Sequence, residues 1–478
     1  MPRLNVSHLR SALPLFVSAL LAGCGHGGTP SVSPTLSPAP GATVSNEAAV
    51  GVAYIPDGGN GTSPGISVVH IIDTSDTLLA MPGPTAAPPL VAFPNDVGPL
   101  GFASDGTVAV SADGTAGAFT LLQPILGLSG SLLTPTGTTY NTTVVPTAAP
   151  SPSPSATPTP MPSATPTLTN VTSLAILETS GLPTTAVALA VGGGDGILGV
   201  NGLVYPPLNY GQYVVYNDPS NTVTPPPSAG PRYNIVLGPG NADALVRGPS
   251  DLIAYTITPS DTGYTLNATA DNTTLGTGAN ILQGPGDMVI DPASDQFALV
   301  AQAPALNDVT LLYGLPSAIH TTTTQLILPT TPRAIAWNVA GTYAVVGADG
   351  GYYVLTLDTS SSTAPTVKIG SISPADPSGL VTPPPFIGCD GATHHLTSVT
   401  SVAITQYGNY LVLYGPTDQT SCTVPGATGS LEAFPFPVPS ATPTATPTPA
   451  PSTTPVPTFF VQNNLPAPGT GQDLMVVH

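Results

Sequence analysis

The sequence predicts an all-β protein arranged as a seven-bladed β-propeller, and three observations carry that expectation. Short runs rich in Val, Ile, Leu, Tyr and Thr alternate with Gly, Pro, Asp and Asn turns through nearly all of residues 47–478. No segment shows a sustained helical period with caps. Related units of about four runs recur at intervals of about forty to sixty residues, the spacing of one propeller blade per repeat. Two or three β-sandwich domains in tandem, joined by Pro/Thr-rich linkers, are the alternative architecture.

In chain order, the first element is a leader at residues 1–23. Arg3 and Arg10 precede an apolar run from Ala12 to Ala22. About ten apolar residues interrupted by Pro14 are too few to span a bilayer but suit the hydrophobic region of a secretory signal. The run closes on Leu21-Ala22-Gly23-Cys24, which resembles the lipobox of bacterial lipoproteins. That resemblance implies removal of residues 1–23 and acylation of Cys24, and two or more acyl chains anchor stably where one does not. The alternative is an ordinary secretory signal with Cys24 falling by chance at the cut. Residues 24–46 then read as a flexible tether, and Gly25 after the Cys favours outer-surface delivery in the resembled family.

The body follows as successive strand groups. The first is Ala49 to Ile55, Ile66 to Ile72 and Thr77 to Ala80, a blade lacking its inner strand. Next come Pro99 to Ala103, Thr107 to Ser111 and Gly117 to Leu122. A looser copy begins at Ala186 to Val191 and continues through Ile197 to Val204 and Tyr213 to Tyr216. Asp243 to Arg247 leads into Leu252 to Ile257 and Gly263 to Leu266, and Asp287 to Ile290 into Phe297 to Ala301, Val309 to Tyr313 and Gln325 to Leu328. The most regular unit is Arg333 to Trp337, a turn at Asn338 to Gly341, Thr342 to Ala348, a tight Asp349-Gly350-Gly351 hairpin, Tyr352 to Leu357, and Thr366 to Ile372. The last is Ser401 to Thr405, Asn409 to Tyr414, Ser430 to Phe434 and an outer strand at Phe459-Phe460-Val461. Asp473 to Val477 resembles Asp287 to Ile290 and is the missing inner strand of the first blade, so the chain ends are expected to close the ring together.

Two further stretches interrupt the body, at 146–167 and 435–457. Pro-Ser-Ala-Thr-Pro-Thr occurs at 154–159, 162–167 and 439–444. Proline at this density removes ladder donors, so disordered, extended, solvated insertions are expected, with glycosylation of their threonines left open.

The inner strand, a turn such as Ser104-Asp105-Gly106 and the passage Val345-Val346-Gly347-Ala348-Asp349-Gly350-Gly351 resemble bacterial propellers of the YVTN and lactonase-like type. The likeness extends over most of residues 47–478. It implies the fold, but the Tyr-Val-Thr-Asn tetrad is missing from every copy, and the group's activities do not carry over.

Composition narrows the function. The chain holds six Lys or Arg against 25 Asp or Glu, and two of the six lie in the leader. Four scattered cations cannot neutralise a phosphate track, which excludes nucleic acid, and an acidic body is repelled by anionic membrane, leaving the lipid as anchor. Charged residues are 6% of the chain, against about 25% in ordinary soluble domains, which fits an acidic habitat where carboxylates lose their charge. Cys389 and Cys422 form an even pair in an oxidising compartment, and a disulfide between them would close a loop of about thirty residues. A metal site is the competing reading, because Cys389-Asp390 is followed by His394-His395, but no paired ligand spacing supports it.

No nucleophile elbow, Walker loop or haem motif is present, and no catalytic residue, metal site or cofactor is assigned. Gly192 to Gly196 and Asp57 to Gly61 read as turns before they read as phosphate or calcium loops, and His70 and His320 as strand-end residues. Asp96, Asp243, Asp287 and Asp390 lie in loops with nothing to mark them beyond turn chemistry. The expectation is a lipid-anchored, extracytoplasmic, noncatalytic binding or scaffold propeller with an envelope protein or glycan partner. The alternative is a secreted lactonase-like hydrolase with a divalent metal in its channel. Sequence does not give the oligomeric state.

Overall fold

The computed structural model describes residues 49–57, 65–72, 90–92, 98–102, 109–112, 118–127, 130–141, 171–178, 186–192, 197–203, 213–216, 233–248, 251–260, 263–272, 287–302, 307–322, 326–361, 365–370, 379–388, 390–405, 410–419, 428–436, 460–466 and 475–477. All of them lie in one compact unit, Glu47–His478. Apart from one 3-10 turn at Pro239–Asn241, every regular element described is a β-strand.

The strands run β1 (Ala49–Asp57), β2 (Gly65–Ile72), β3 (Leu90–Ala92), β4 (Leu100–Phe102), β5 (Ala109–Ala112), β6 (Ala118–Gly127), β7 (Gly130–Asn141), β8 (Val171–Glu178), β9 (Ala186–Gly192), β10 (Ile197–Leu203) and β11 (Tyr213–Tyr216). Then come β12 (Asn234–Leu237), β13 (Asp243–Arg247), β14 (Leu252–Ser260), β15 (Gly263–Asn272), β16 (Met288–Ile290), β17 (Phe297–Gln302), β18 (Asp308–Tyr313), β19 (His320–Thr321) and β20 (Leu326–Ile327). The chain continues through β21 (Pro332–Trp337), β22 (Tyr343–Ala348), β23 (Gly351–Asp358), β24 (Thr366–Ile369), β25 (Leu380–Val381), β26 (Phe386–Ile387) and β27 (Thr393–His394). Last are β28 (Ser401–Ile404), β29 (Tyr410–Pro416), β30 (Gly429–Pro435), β31 (Phe460–Leu465) and β32 (Met475–Val477).

Among the described residues these strands form seven open antiparallel sheets and one two-stranded ribbon. Six sheets are consecutive in sequence: β4–β7, β8–β11, β12–β15, β16–β20, β21–β25 and β28–β31. The seventh joins the two ends of the body in the order β3-β2-β1-β32, with Ala53 opposite Val476. The first strands neighbour one another from sheet to sheet, β4 beside β8, then β12, β16, β21, β28, β32 and back to β4.

The middle strands are mainly apolar, as in Tyr343–Ala348, because both their faces are covered. Side chains alternate across a strand, so successive residues serve successive neighbours. In β22, Ala344, Val346 and Ala348 pack toward β16–β20, while Tyr343 and Val345 pack toward β28–β31. In β17, Phe297, Leu299 and Ala301 face β21–β25, and Ala298 and Val300 face β12–β15. The core is therefore a series of layers between consecutive sheets, the last of which sets Ala53 and Ile71 against Val412 and Leu431.

Turn chemistry fixes the ends of these strands. Asn338 Oδ1 accepts the main-chain N–H of Thr342 and Tyr343, both at 2.9 Å, and Gly341 takes φ +70°. A side chain at Gly341 would also collide with Asp291 and Ala293 of the preceding sheet, so glycine serves both the conformation and the approach. Gly350 and Gly351, at φ +82° and +156°, turn β22 into β23.

The expected unit at 333–372 matches β21–β24, but several boundaries differ. Val171–Glu178 and Asn234–Leu237 are the first strands of their sheets, so Ala186 to Val191 and Asp243 to Arg247 are second strands rather than first. Gly130–Asn141 supplies an unexpected fourth strand beside β6. The fourth position beside β18 is divided between β19 and β20, a division absent from the expected single run at 325–328. Leu90–Ala92 pairs with the start of β2, and the expected strand at Thr77 to Ala80 lies outside the described residues. The second Pro/Thr-rich stretch falls between β30 and β31, which hydrogen-bond directly, so it does not link separate domains. The leader, Cys24, the tether, residues 146–167, Cys389 and Cys422 lie outside the described residues.

Candidate functional site

Antiparallel pairing puts the start of each first strand, the end of the second and the start of the third at one end of a sheet. Asn234 pairs with Arg247, and Arg247 with Leu252. At this end a polar belt crosses from sheet to sheet. Ser173 Oγ donates to Asn234 Oδ1 at 2.8 Å and accepts from Ile235 N at 3.2 Å. Asn234 Nδ2 reaches Asp287 Oδ1 at 3.5 Å. Asp287 accepts the N–H of Met288 on one oxygen at 2.8 Å and that of Ile335, in the next sheet, on the other at 2.7 Å. Further on, Arg333 grips Asp349 in a fork at 3.0 and 3.2 Å, and Ser398 Oγ donates to the same carboxylate at 3.0 Å.

Beneath the belt lies Arg247, fully buried, donating to Ala301 O at 2.9 Å. Burial lowers the guanidinium to about 10, against the charges of Asp287, Asp308 and Tyr233, so it remains cationic at neutral pH. Desolvation raises Asp287 above the ordinary carboxylate value, although the N–H donors of Ile335 and Met288 pull it down. Asp308, 1% exposed, is pushed up to about 6 by burial, with Arg247 opposing. The group is an Asp–Arg–Asp assembly spanning two sheets.

The second assembly is on the β26–β27 ribbon and the segment after β29. His394 Nε2 meets both oxygens of Asp390 at 2.9 and 3.0 Å, and Nδ1 meets Asp418 Oδ1 at 3.0 Å. His395 Nδ1 approaches Asp418 Oδ2 at 3.2 Å, and its N–H donates to Oδ1. Burial alone would lower the His394 ring, but the hydrogen bonds and charges of Asp390 and Asp418 outweigh it and leave the pKa raised. Asp390 is lowered first by the Ala392 N–H and then by His394. Asp418 is raised by burial but ends lowered by the N–H of His395 and the ring of His394. An imidazolium donating from both nitrogens has no lone pair for a metal or for proton abstraction.

Of the acids noted in the sequence, Asp287 and Asp390 hold these two assemblies. Asp243 starts β13 at the opposite end of its sheet, where burial and then Asp295 push it up to about 7. Asp96 lies outside the described residues. The four therefore form no single convergent set. Among the described residues no three His, Cys, Asp or Glu side chains are arranged to hold a metal. His320 is exposed against the ring of Tyr313, centroids 5.2 Å apart, as expected of a strand edge; the His70 side chain is outside the described set. Strands β9–β10 and β1–β2 pair with each other, while residues 193–196 and 58–61, expected as turns, lie outside the described residues. Arg247, Asp308 and Glu432 were missed in the sequence. Their signal is a charge inside an apolar run, as in Asp243-Ala244-Leu245-Val246-Arg247.

No family model matches the chain, and no curated protein matches it. Among solved structures, the Pseudomonas aeruginosa periplasmic gluconolactonase aligns at 11% identity and TM-score 0.50, over 90% of this chain and 99% of its own. A functionally unknown protein from Desulfotomaculum acetoxidans aligns at 12% identity and TM-score 0.46, over 80% and 92%. The Myceliophteria thermophila Cps50 (Swd1) beta-propeller domain aligns at 11% and 0.37, over 70% and 82%. At 11% identity the likeness to the gluconolactonase concerns the fold alone. Among the described residues no helix is long and apolar enough to cross a membrane.

Proposed function

We propose that this chain is an extracytoplasmic lipoprotein, anchored through Cys24, whose body is a seven-bladed β-propeller acting as a binding or scaffold module. The neighbour sequence of first strands from β4 round to β32 and back supports the ring. The gluconolactonase neighbour is periplasmic, in keeping with an extracytoplasmic setting.

One observation carries the noncatalytic reading: Asp287, just before β16, and His394, on the β26–β27 ribbon, are spent on the fold. Both oxygens of Asp287 hold main-chain N–H groups, and both nitrogens of His394 hold carboxylates. A general base or metal ligand needs an open lone pair at the reaction centre. The face that remains suits a partner such as an envelope protein or glycan. A Cys389–Cys422 disulfide belongs to this reading, because Asp390 and Asp418, near the two cysteines in sequence, already meet on one imidazole.

The test is metal analysis of the purified protein, then a lactone and phosphoester panel, beside a pulldown from envelope extract. The reading predicts substoichiometric metal, no turnover and a specific partner. Stoichiometric metal with lactone turnover would establish the hydrolase alternative instead.

A further inference from the structure

Glu432 is fully buried in β30, and neither carboxyl oxygen has a hydrogen-bond partner. It lies opposite Leu413 of β29 and Val461 of β31. Its strand neighbours Leu431 and Ala433 pack toward β1–β3, so alternation turns Glu432 the other way, toward β21–β25. That layer is built from side chains such as Ala334, Val345, Val354, Val399, Val402 and Leu411. Its ionisable members are the phenols of Tyr352 on β23 and Tyr343 on β22, both kept protonated by burial, with Glu432 adding to the effect on Tyr352. The charged pair Arg333–Asp349 is exposed and satisfied within itself. Nothing described in the layer neutralises an ionised Glu432, and an isolated carboxylate in such surroundings keeps its proton.

We propose that Glu432 is a proton-loaded latch between the β21–β25 and β28–β31 sheets, closed while the acid is protonated and loosened when the medium strips the proton, so that the body is tuned to acidic surroundings. The direction follows from linkage. Desolvation pushes the carboxyl up to about 8 in the fold, above its unfolded value. Its contribution is therefore complete below the unfolded value and is lost as pH rises through about 8. Asp243 at about 7, Asp308 at about 6, and the raised Asp287, Asp291 and His394 act with the same sign. The lowered carboxylates, Asp358, Asp390 and Asp418, act only as pH falls below the ordinary carboxylate range. The scarcity of cations limits self-repulsion there.

The experiment is the urea midpoint of the full body from about pH 4 to about pH 9, for wild type, Glu432→Gln and Glu432→Leu. The wild-type midpoint should fall across that range. Both variants should lose part of the fall between about pH 5 and about pH 8 and exceed wild type at the alkaline end, because neither can ionise. A wild-type midpoint that is flat or rising overturns the proposal, as does a variant curve that runs parallel to wild type. Should the amide variant fail to fold, the leucine variant, which fills an apolar layer, decides alone.

Discussion

Asp287 ties three strands with one carboxylate: the N–H of Met288 at its own strand, Asn234 behind it and the N–H of Ile335 ahead. Replacing it by alanine orphans those donors and leaves the buried Arg247 with less counter-charge. Asp287→Ala should therefore cost about 3 kcal/mol in urea unfolding, and Asp287→Asn, which retains one acceptor oxygen, should cost less. Equal stability of Asp287→Ala and wild type would show that the belt is incidental. His394 gives a pH-dependent counterpart. Its raised pKa contributes stability that is complete below the unfolded value and lost as pH rises through the folded one, whereas the lowered Asp390 and Asp418 contribute only above their folded values. The difference in melting temperature between wild type and His394→Gln should be widest at about pH 4 to 6 and shrink on either side. A difference independent of pH would mean the ring is neutral.

Elements with sharp turns were legible in the sequence, and those without were not. Asn338 to Gly341 and Asp349 to Gly351 delimit β22 unambiguously, because the side-chain cap and the positive-φ glycines act locally. The four-residue β12 lies between Arg232 and the Pro239-Gly240 turn, too short to establish a period, and β8 follows directly on Pro/Thr-rich sequence that blurs its start. Asp287 was visible only as a turn acid. Its hydrogen bond to Ile335 spans 48 residues, and no local pattern encodes a partner at that distance. The buried strands yield a direct prediction: Leu299→Ala, fully buried between two sheets, should cost about 2–5 kcal/mol. The insertion between β30 and β31 should behave oppositely. Shortening 437–457 to a brief flexible link should leave the melting temperature within a few degrees, since β30 and β31 pair without it. A larger loss would show that it packs on the body.

At the scale of the molecule, the layered core explains how a body with so few charges holds together as the unit Glu47–His478. Each described sheet in the series from β8 to β31 shares an apolar layer with the next, and the β28–β31 sheet shares its other layer with β1 and β2. Closure of the proposed ring depends on β32, which pairs with β1 through Val52, Ala53 and Tyr54 and lies beside β28 and β4. Removing residues 473–478 deletes almost no mass but leaves β1 as an open edge. Thermal melting of that truncated protein beside the full body is the most direct measurement. A closed propeller predicts a large drop in melting temperature with aggregation at the exposed edge, and melting indistinguishable from the full chain would contradict both the closure and the seven-blade count.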